Sequence, residues 1–198
     1  MKKIWTVLFS AMFLICTQAH AEVDAKAAEN FIKGVTTQGI EELINSNVSE
    51  AERNKRFTKL FNQDLDLDFI GKFVLGRYWR TATSKQRSDF IDVYRQLNIK
   101  TWSERFNEFK GKHFEFLGTE TSKSEDQIFV NTQVPMQEGA PASVKWRVKN
   151  TDGKMRIVDI IIENVSLAQT ARSEYTSYIQ KSPNGIDGLI QDLQAKLR

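Results

Sequence analysis

The residues able to do chemistry are few, and their placement restricts what they can do. Cys16 and His20 fall within the first 21 residues, so the rest of the 198-residue chain holds one histidine, His113, and no cysteine. A His/Cys zinc cluster is excluded there, and a histidine-based triad would depend on His113 alone. His113 opens an alternating run beside Phe114 and reads as a partly exposed polar strand residue. Asp64, Asp66 and Asp68 start like a calcium loop, but the glycine and closing glutamate of that loop are missing at the required offsets. Helix capping and first-turn charge account for them better. Gly185 and Gly188 lack the preceding strand of a phosphate-cradling loop. Asp159 is left. It interrupts the apolar run Ile157 to Ile162, and by strand parity it shares a face with Ile157 and Ile161, where Arg147 or Lys145 can pair with it. The alternative is a fold-stabilising or catalytic carboxylate in a cavity, and the catalytic role is open to Asp68 as well.

The elements that would position these groups follow from periodicity. Residues 25–45 carry Phe31, Val35, Ile40, Leu43 and Ile44 at helical spacing, and Gly34 and Gly39 predict a bent or two-piece helix. Ser49 and Glu52 form a capping box for a helix that buries Phe57, Leu60 and Phe61. Asp64 or Asp66 caps the next helix, with Leu67, Ile70, Phe73 and Val74 inward. In the string VLGRYWRTATSKQR, Val74 to Arg87, Thr83 and Gln86 form a second capping box at a corner after Arg80. Phe90, Val93, Tyr94 and Leu97 continue one stripe, and Trp102, Phe106 and Phe109 resume it out of phase, which predicts a kink or break near Thr101.

From Gly111 the period becomes alternating. Phe114 and Phe116, then Ile128 to Val134, then Val144, Trp146 and Val148, then Val158, Ile160 and Ile162 each hold one parity of a short run. Polar residues such as Lys145, Arg147 and Lys149 hold the other. Asp152-Gly153 suits a tight hairpin between the last two runs. Two more amphipathic helices follow, one through Leu167, Ala171, Tyr175 and Ile179 and one from Ile186 to Leu197. No linker or repeat interrupts this order. The expectation is a single α+β domain, an antiparallel four-stranded sheet covered by amphipathic helices.

Residues 1–21 read as an export signal: Lys2 and Lys3, the apolar run Ile4 to Ile15, and Ala19-His20-Ala21 before Glu22. The apolar run is shorter than the roughly 20 residues a bilayer span needs. Ile15 stands before Cys16 where a lipoprotein signal carries a small residue. Removing the signal leaves residues 22–198 as one domain without disulfide or thiol chemistry. It also removes two of 28 basic residues against 25 acidic ones, so the remaining chain is nearly neutral and shows no nucleic-acid footprint.

The string VLGRYWRTATSKQR, with DIIIENVSLAQTARSEYTSYI from Asp159 to Ile179 and GIDGLIQDL from Gly185 to Leu193, resembles the MlaC or toluene-tolerance family. The resemblance runs in order from about Phe57 to Leu197. It departs at Asn164, where the family usually has Gly, and at Ala171, where an aromatic often precedes Arg172. Apolar stripes alone describe a filled core as well as a hollow one. The resemblance implies the hollow one, an apolar cavity between sheet and helices lined by Phe73, Val74, Tyr78, Leu97, Trp102, Phe106, Val144, Trp146, Val148, Val158, Ile160 and Ile162. Arg77, Arg80 and Arg147 then suit a headgroup at the mouth or a docking face, or pack their stems on aromatics in the ordinary way. Arg172, in the SLxxxxR segment, matches the family's pattern as a further headgroup or partner contact.

By the same resemblance the chain is a periplasmic carrier that holds a glycerophospholipid by its acyl tails. It would shuttle it between outer and inner membranes and maintain outer-membrane lipid asymmetry. The implied partners are an outer-membrane lipoprotein with its porin and an inner-membrane ABC permease reached through its lipid-binding subunit. No cofactor, no enzymatic step and a monomer are implied. Two other classes stay open on the residues: a small hydrolase or isomerase using Asp159 or Asp68, and a chaperone with an apolar groove.

Overall fold

Most helix starts in the computed structural model are set by a side chain that the sequence places there. The structure describes residues 23–45, 47–104, 111–124, 126–136 and 139–198; the expected export signal and Phe106 and Phe109 lie outside the described residues. Asp24 accepts from the Ala27 N–H at 2.6 Å and starts α1, Ala25–Lys33. The chain passes directly into a π-helical segment, Gly34–Glu41, and then α2, Glu42–Asn45. The expected bend is thus a change of helical pitch that begins at Gly34. Ser49 caps α3, Glu50–Asp64. Asp66 accepts from the Phe69 N–H at 2.9 Å and starts α4, Leu67–Leu75. Gly76, at φ +54°, ends α4 and opens the short α5, Arg77–Thr81.

At the Thr83 corner both bonds of the capping box form: the Gln86 N–H donates to Thr83 Oγ1 at 3.1 Å, and the Thr83 N–H donates to Gln86 Oε1 at 3.0 Å. The helix they start, α6, runs unbroken from Ser84 to Glu104. The break expected near Thr101 is absent, because this stretch contains neither Gly nor Pro. Trp102 instead packs on the helical core from an intact last turn.

The sheet has five strands, one more than expected: β1 Glu115–Thr121, β2 Gln127–Val134, β3 Ala142–Thr151, β4 Lys154–Ile162 and β5 Val165–Ser166, antiparallel in that order. The fifth is two residues long. It exists because Glu163 and Asn164, at φ +49° and +65°, reverse the chain tightly enough to lay Val165 and Ser166 back on Ile161 and Ile162. Asn at this position tolerates the left-handed backbone that a Gly would adopt freely. Asp152 and Gly153, both at positive φ, make the hairpin between β3 and β4. Two helices close the chain, α7 Leu167–Lys181 and α8 Gly185–Ala195.

The register slips at two places, at Leu117 of β1, between the Phe116–Thr132 and Gly118–Asn131 pairs, and in β4, where the expected parity fails. The β3–β4 ladder pairs Trp146 with Ile160 and Arg147 with Asp159, then skips, so that Val148 meets Ile157. Val158 is the extra residue of a β-bulge. The bulge turns Ile157 onto the face of Trp146, Val148, Ile160 and Ile162, and takes Val158 off it, reversing the expected placement of both. A period-2 pattern carries no mark of a one-residue insertion.

Buried side chains form two clusters. One is helical, including Phe61, Leu67, Val74, Phe90, Val93, Leu189 and Leu193. The other joins α1 to the sheet through Ile32, Val130, Val134, Trp146, Val148 and Ile157. Ile40 and Leu65 touch both clusters. Leu65 also forms an isolated parallel bridge with Ile157, and the Asp66 N–H donates to the Ile157 carbonyl at 3.0 Å.

Candidate functional site

Along the seam between the two clusters lies a cavity of about 110 Å³ whose lining is almost wholly hydrocarbon. Its floor is the sheet: Val144, Trp146, Ile157, Ile160 and Ile162, with Phe114 at one edge. Its roof is the π-helical segment with α2 and α3, contributing Val35, Ile40, Ile44, Phe57, Leu60, Phe61 and Leu65, and Trp102 of α6 closes one side. Trp146 keeps the floor apolar although it carries an N–H. Its indole donates to Thr132 Oγ1 at 3.0 Å, and the Thr132 hydroxyl donates to the Val144 carbonyl at 2.8 Å, so the polar groups are satisfied within the sheet. The Phe114 ring meets the Trp146 ring edge-on at 5.9 Å.

Roof and floor are tied at one end by a buried carboxylate. Glu41, the last residue of the π-helical segment, accepts from the Phe114 N–H at 2.9 Å and contacts His113 Nδ1 at 2.8 Å. His113 precedes β1 and is largely exposed, and this contact with Glu41 occupies one of its ring nitrogens. Among the described residues that line the cavity, Asp64 is the one that carries a charge. Burial raises its carboxyl above the ordinary range, and the nearby Arg156 cation partly opposes that.

Of the residues expected at such a site, Trp102, Val144, Trp146, Ile160 and Ile162 line the cavity. Val148 is fully buried in the sheet's own core. Val158, displaced by the bulge, lines a smaller adjoining pocket with Tyr94 and Leu167, which shares Phe61, Leu65, Trp102, Ile157 and Ile160 with the cavity. Phe73, Val74, Tyr78 and Leu97 belong to or pack on the helical cluster and do not line the cavity. Phe106 lies outside the described residues. The residues that sequence reasoning left out are the roof. Their stripes were legible as buried faces, but periodicity says which face is buried and not what it faces.

The expected charged contacts are dispersed. Arg77 donates to the Tyr78 hydroxyl at 2.9 Å, and Arg80 is exposed on the same short helix. Arg147 lies over the Phe129 ring at 5.8 Å. Arg172 is used inside the fold: its Nη1 donates to the Phe73 carbonyl at 2.8 Å and its guanidinium lies 4.9 Å from the centroid of that residue's ring. Asp159 is buried and pairs with neither Arg147 nor Lys145, correcting that expectation. Its two oxygens accept from the Ser166 hydroxyl at 2.6 Å and the Ala168 N–H at 3.0 Å, at the start of α7, while Lys145 pairs with Glu120 at 2.8 Å. Of the calcium-like aspartates, Asp66 is a cap, Asp68 lies in the first turn of α4 and Asp64 is in the cavity wall. Among the described residues no group of three or more His, Cys, Asp or Glu is placed to hold a metal ion.

Comparison with known proteins adds to this geometry. The family model described as MlaC protein matches residues 33–195. A Haemophilus influenzae protein named intermembrane phospholipid transport system binding protein MlaC is 24% identical over 162 residues, covering 76% of this chain and 73% of its own. The toluene tolerance protein ttg2D of Pseudomonas putida is 20% identical over 175 residues, 85% of this chain and 80% of its own. A phospholipid-binding protein from Ralstonia solanacearum, solved in complex with a phospholipid, superposes with a TM-score of 0.74 at 19% identity, covering 86% of this chain and 96% of that one. At that identity the likeness is one of fold.

Proposed function

Because this chain belongs to the MlaC protein family, we propose that it is a periplasmic carrier that binds a glycerophospholipid by its acyl tails and moves it between the outer and inner membranes, sustaining outer-membrane lipid asymmetry. The observation that carries this reading is the hydrocarbon-lined cavity at the seam of two separate cores. The names of the Haemophilus and Ralstonia proteins, both phospholipid binders, support the ligand class.

Physical chemistry supplies the reason for a carrier. Hydrating two tails of about 30 methylenes in total, at roughly 0.8 kcal/mol each, costs on the order of 24 kcal/mol, so unassisted passage through water is negligible. A protein interior exchanges one apolar surrounding for another, and transfer becomes nearly neutral. At about 110 Å³ the cavity is smaller than the ~150 Å³ that admits a benzene-sized guest. Tails therefore enter by parting the α2–α3 roof from the sheet, with Ile40 and Leu65, the residues touching both cores, as the contacts that separate.

Direction comes from the partners: an outer-membrane lipoprotein with its porin, and an inner-membrane ABC permease approached through its lipid-binding subunit. Residues 1–21 direct export and are removed after Ala21, leaving 22–198 as the working domain. No helix among the described residues is long and apolar enough to cross a membrane. No covalent step or cofactor is involved in this reading. Native mass spectrometry of protein taken from the periplasm without detergent tests it. Mass increments equal to intact phospholipids are expected; lipid-free protein that also takes nothing from vesicles contradicts it.

A further inference from the structure

The adjoining pocket, of about 30 Å³, meets the apolar cavity beside Leu65. Floor and roof run from one into the other: Ile157 and Ile160 of β4 lie under both, and Phe61 and Leu65, at the end of α3, lie over both. Trp102 comes in from a third direction. Tyr94, Asn98 and Trp102 stand four residues apart on α6 and so share one helix face. Tyr94 and Asn98 line only the smaller pocket, whereas Trp102, in the last turn, reaches the cavity as well. The face therefore follows the pocket and ends with a half-buried indole at its junction with the cavity.

The space behind that indole suits hydrocarbon. Ile70, Val158 and Leu167 line it, and its polar groups are already engaged. Asn98 Nδ2 donates to the Tyr94 carbonyl at 2.8 Å, and both Asp159 oxygens accept from the start of α7. A methylene entering there breaks none of these bonds, so it strands no buried polar group. Floor and roof at the junction are pinned by backbone: Leu65 bridges Ile157, the Asp66 N–H holds the Ile157 carbonyl, and Ile160 is laddered to Trp146. The indole is the part of the junction that a substitution removes without disturbing those pairings.

We propose that Trp102 is a stop that sets how long an acyl chain the carrier accepts, by denying the tail the pocket behind it. This rests on the carrier reading above and makes chain length its point of selection. A methylene drawn from a bilayer that finds no apolar surroundings in the protein costs a factor of about four in retention. Chains that overshoot the stop are therefore rejected steeply. About two methylenes of added depth, once the indole is gone, amount to more than tenfold.

The test offers the delipidated mature chain mixed vesicles of dimyristoleoyl-, dioleoyl- and dierucoyl-phosphatidylcholine, one headgroup on fluid chains of increasing length. Retained lipid is counted by mass spectrometry. Wild type should favour the shorter chains. Trp102→Ala should raise the ratio of dierucoyl to dimyristoleoyl lipid at least tenfold, and Trp102→Leu should raise it less. Adding Ala168→Leu, which refills the pocket from the start of α7, should return the Trp102→Ala ratio toward that of wild type. Matching thermal melts identify which variants fold, and Trp102→Leu carries the test if Trp102→Ala does not. Wild type that retains all three lipids equally overturns the stop and leaves the carrier intact, as does an unchanged ratio in the folded Trp102 variants. A folded Trp102→Ala protein that holds no lipid makes the indole a required tail contact and also overturns it. A ratio in the double variant equal to that of Trp102→Ala overturns the route into the pocket. Wild type that retains none of the lipids overturns the carrier, and the stop with it.

Discussion

Replacing Arg172 by Met should destabilise the fold and leave lipid binding alone. The side chain does three things in the structure. Its Nη1 donates to the Phe73 carbonyl at 2.8 Å, near the C-terminus of α4, where helical carbonyls lack partners and a cation is favoured. Its guanidinium lies 4.9 Å from the centroid of the Phe73 ring. It also closes against Gly76, where a Cβ would come within 3.1 Å of it. A hydrogen bond to a charged group contributes about 1.5–3 kcal/mol, the helix end about 0.3–1 and the ring about 0.5–1. These terms share one geometry and do not add in full, so a loss of about 2–3 kcal/mol is expected. For a chain of this length that corresponds to roughly 2–4 °C of melting temperature per kcal/mol. Denaturant titration should show the midpoint falling from wild type to Arg172→Lys to Arg172→Met, with the slope unchanged. Lipid retained per folded molecule should be equal in all three. A Met variant as stable as wild type but unable to retain lipid would refute the reasoning and return Arg172 to the headgroup or partner role that its motif suggests.

Substitutions at two further residues, Asp64 and Trp146, probe the cavity wall. Asp64 has a raised carboxyl in the folded state, so its ionised form opposes folding. Wild type should therefore lose stability relative to Asp64→Asn as pH rises from about 4, the ordinary carboxylate range, through the raised folded value. Below both values the two proteins should differ least; denaturant midpoints across about pH 3 to 7 read the trend, and the opposite slope would contradict it. Trp146→Asp, which places a carboxylate on the apolar floor, should abolish lipid retention, whereas Trp146→Phe and Lys145→Asp should not. Lys145 makes a partly exposed pair with Glu120 and lies 5.5 Å from the centroid of the Phe129 ring, so its loss should change stability by about 1 kcal/mol. Equal retention in Trp146→Asp and Lys145→Asp would contradict the assigned faces of β3.

Local chemistry was legible where one residue determines its own surroundings. Asp66 as a cap, the reciprocal Thr83–Gln86 box, the Asp152-Gly153 turn and the inward parity of β2 and β3 all follow from side chains acting within a few residues. What escaped depends on distant neighbours. The bulge at Val158 needs the β3 register to be seen, and it moved Ile157 to the cavity floor. The use of Asp159 needs Ser166 and Ala168 folded back beside it. The roof was missed for a similar reason: Val35, Ile40 and Ile44 read as an amphipathic stripe, and the family resemblance that suggested a cavity began only near Phe57, beyond them. Phe73, Val74, Tyr78 and Leu97 have the same apolar character as the roof, yet pack among helices. Composition alone cannot assign a greasy helix face to a core or to a cavity.

The central claim is that acyl tails lie against the sheet at Trp146. Fluorescence quenching by a phospholipid brominated midway along its acyl chains measures this directly, in mature protein carrying Trp79→Phe and Trp102→Phe so that Trp146 is the only indole left. The account predicts strong quenching of the Trp146 emission by the chain-brominated lipid and little by a lipid brominated on its headgroup. Undiminished emission with the chain-brominated lipid demonstrably bound would contradict it.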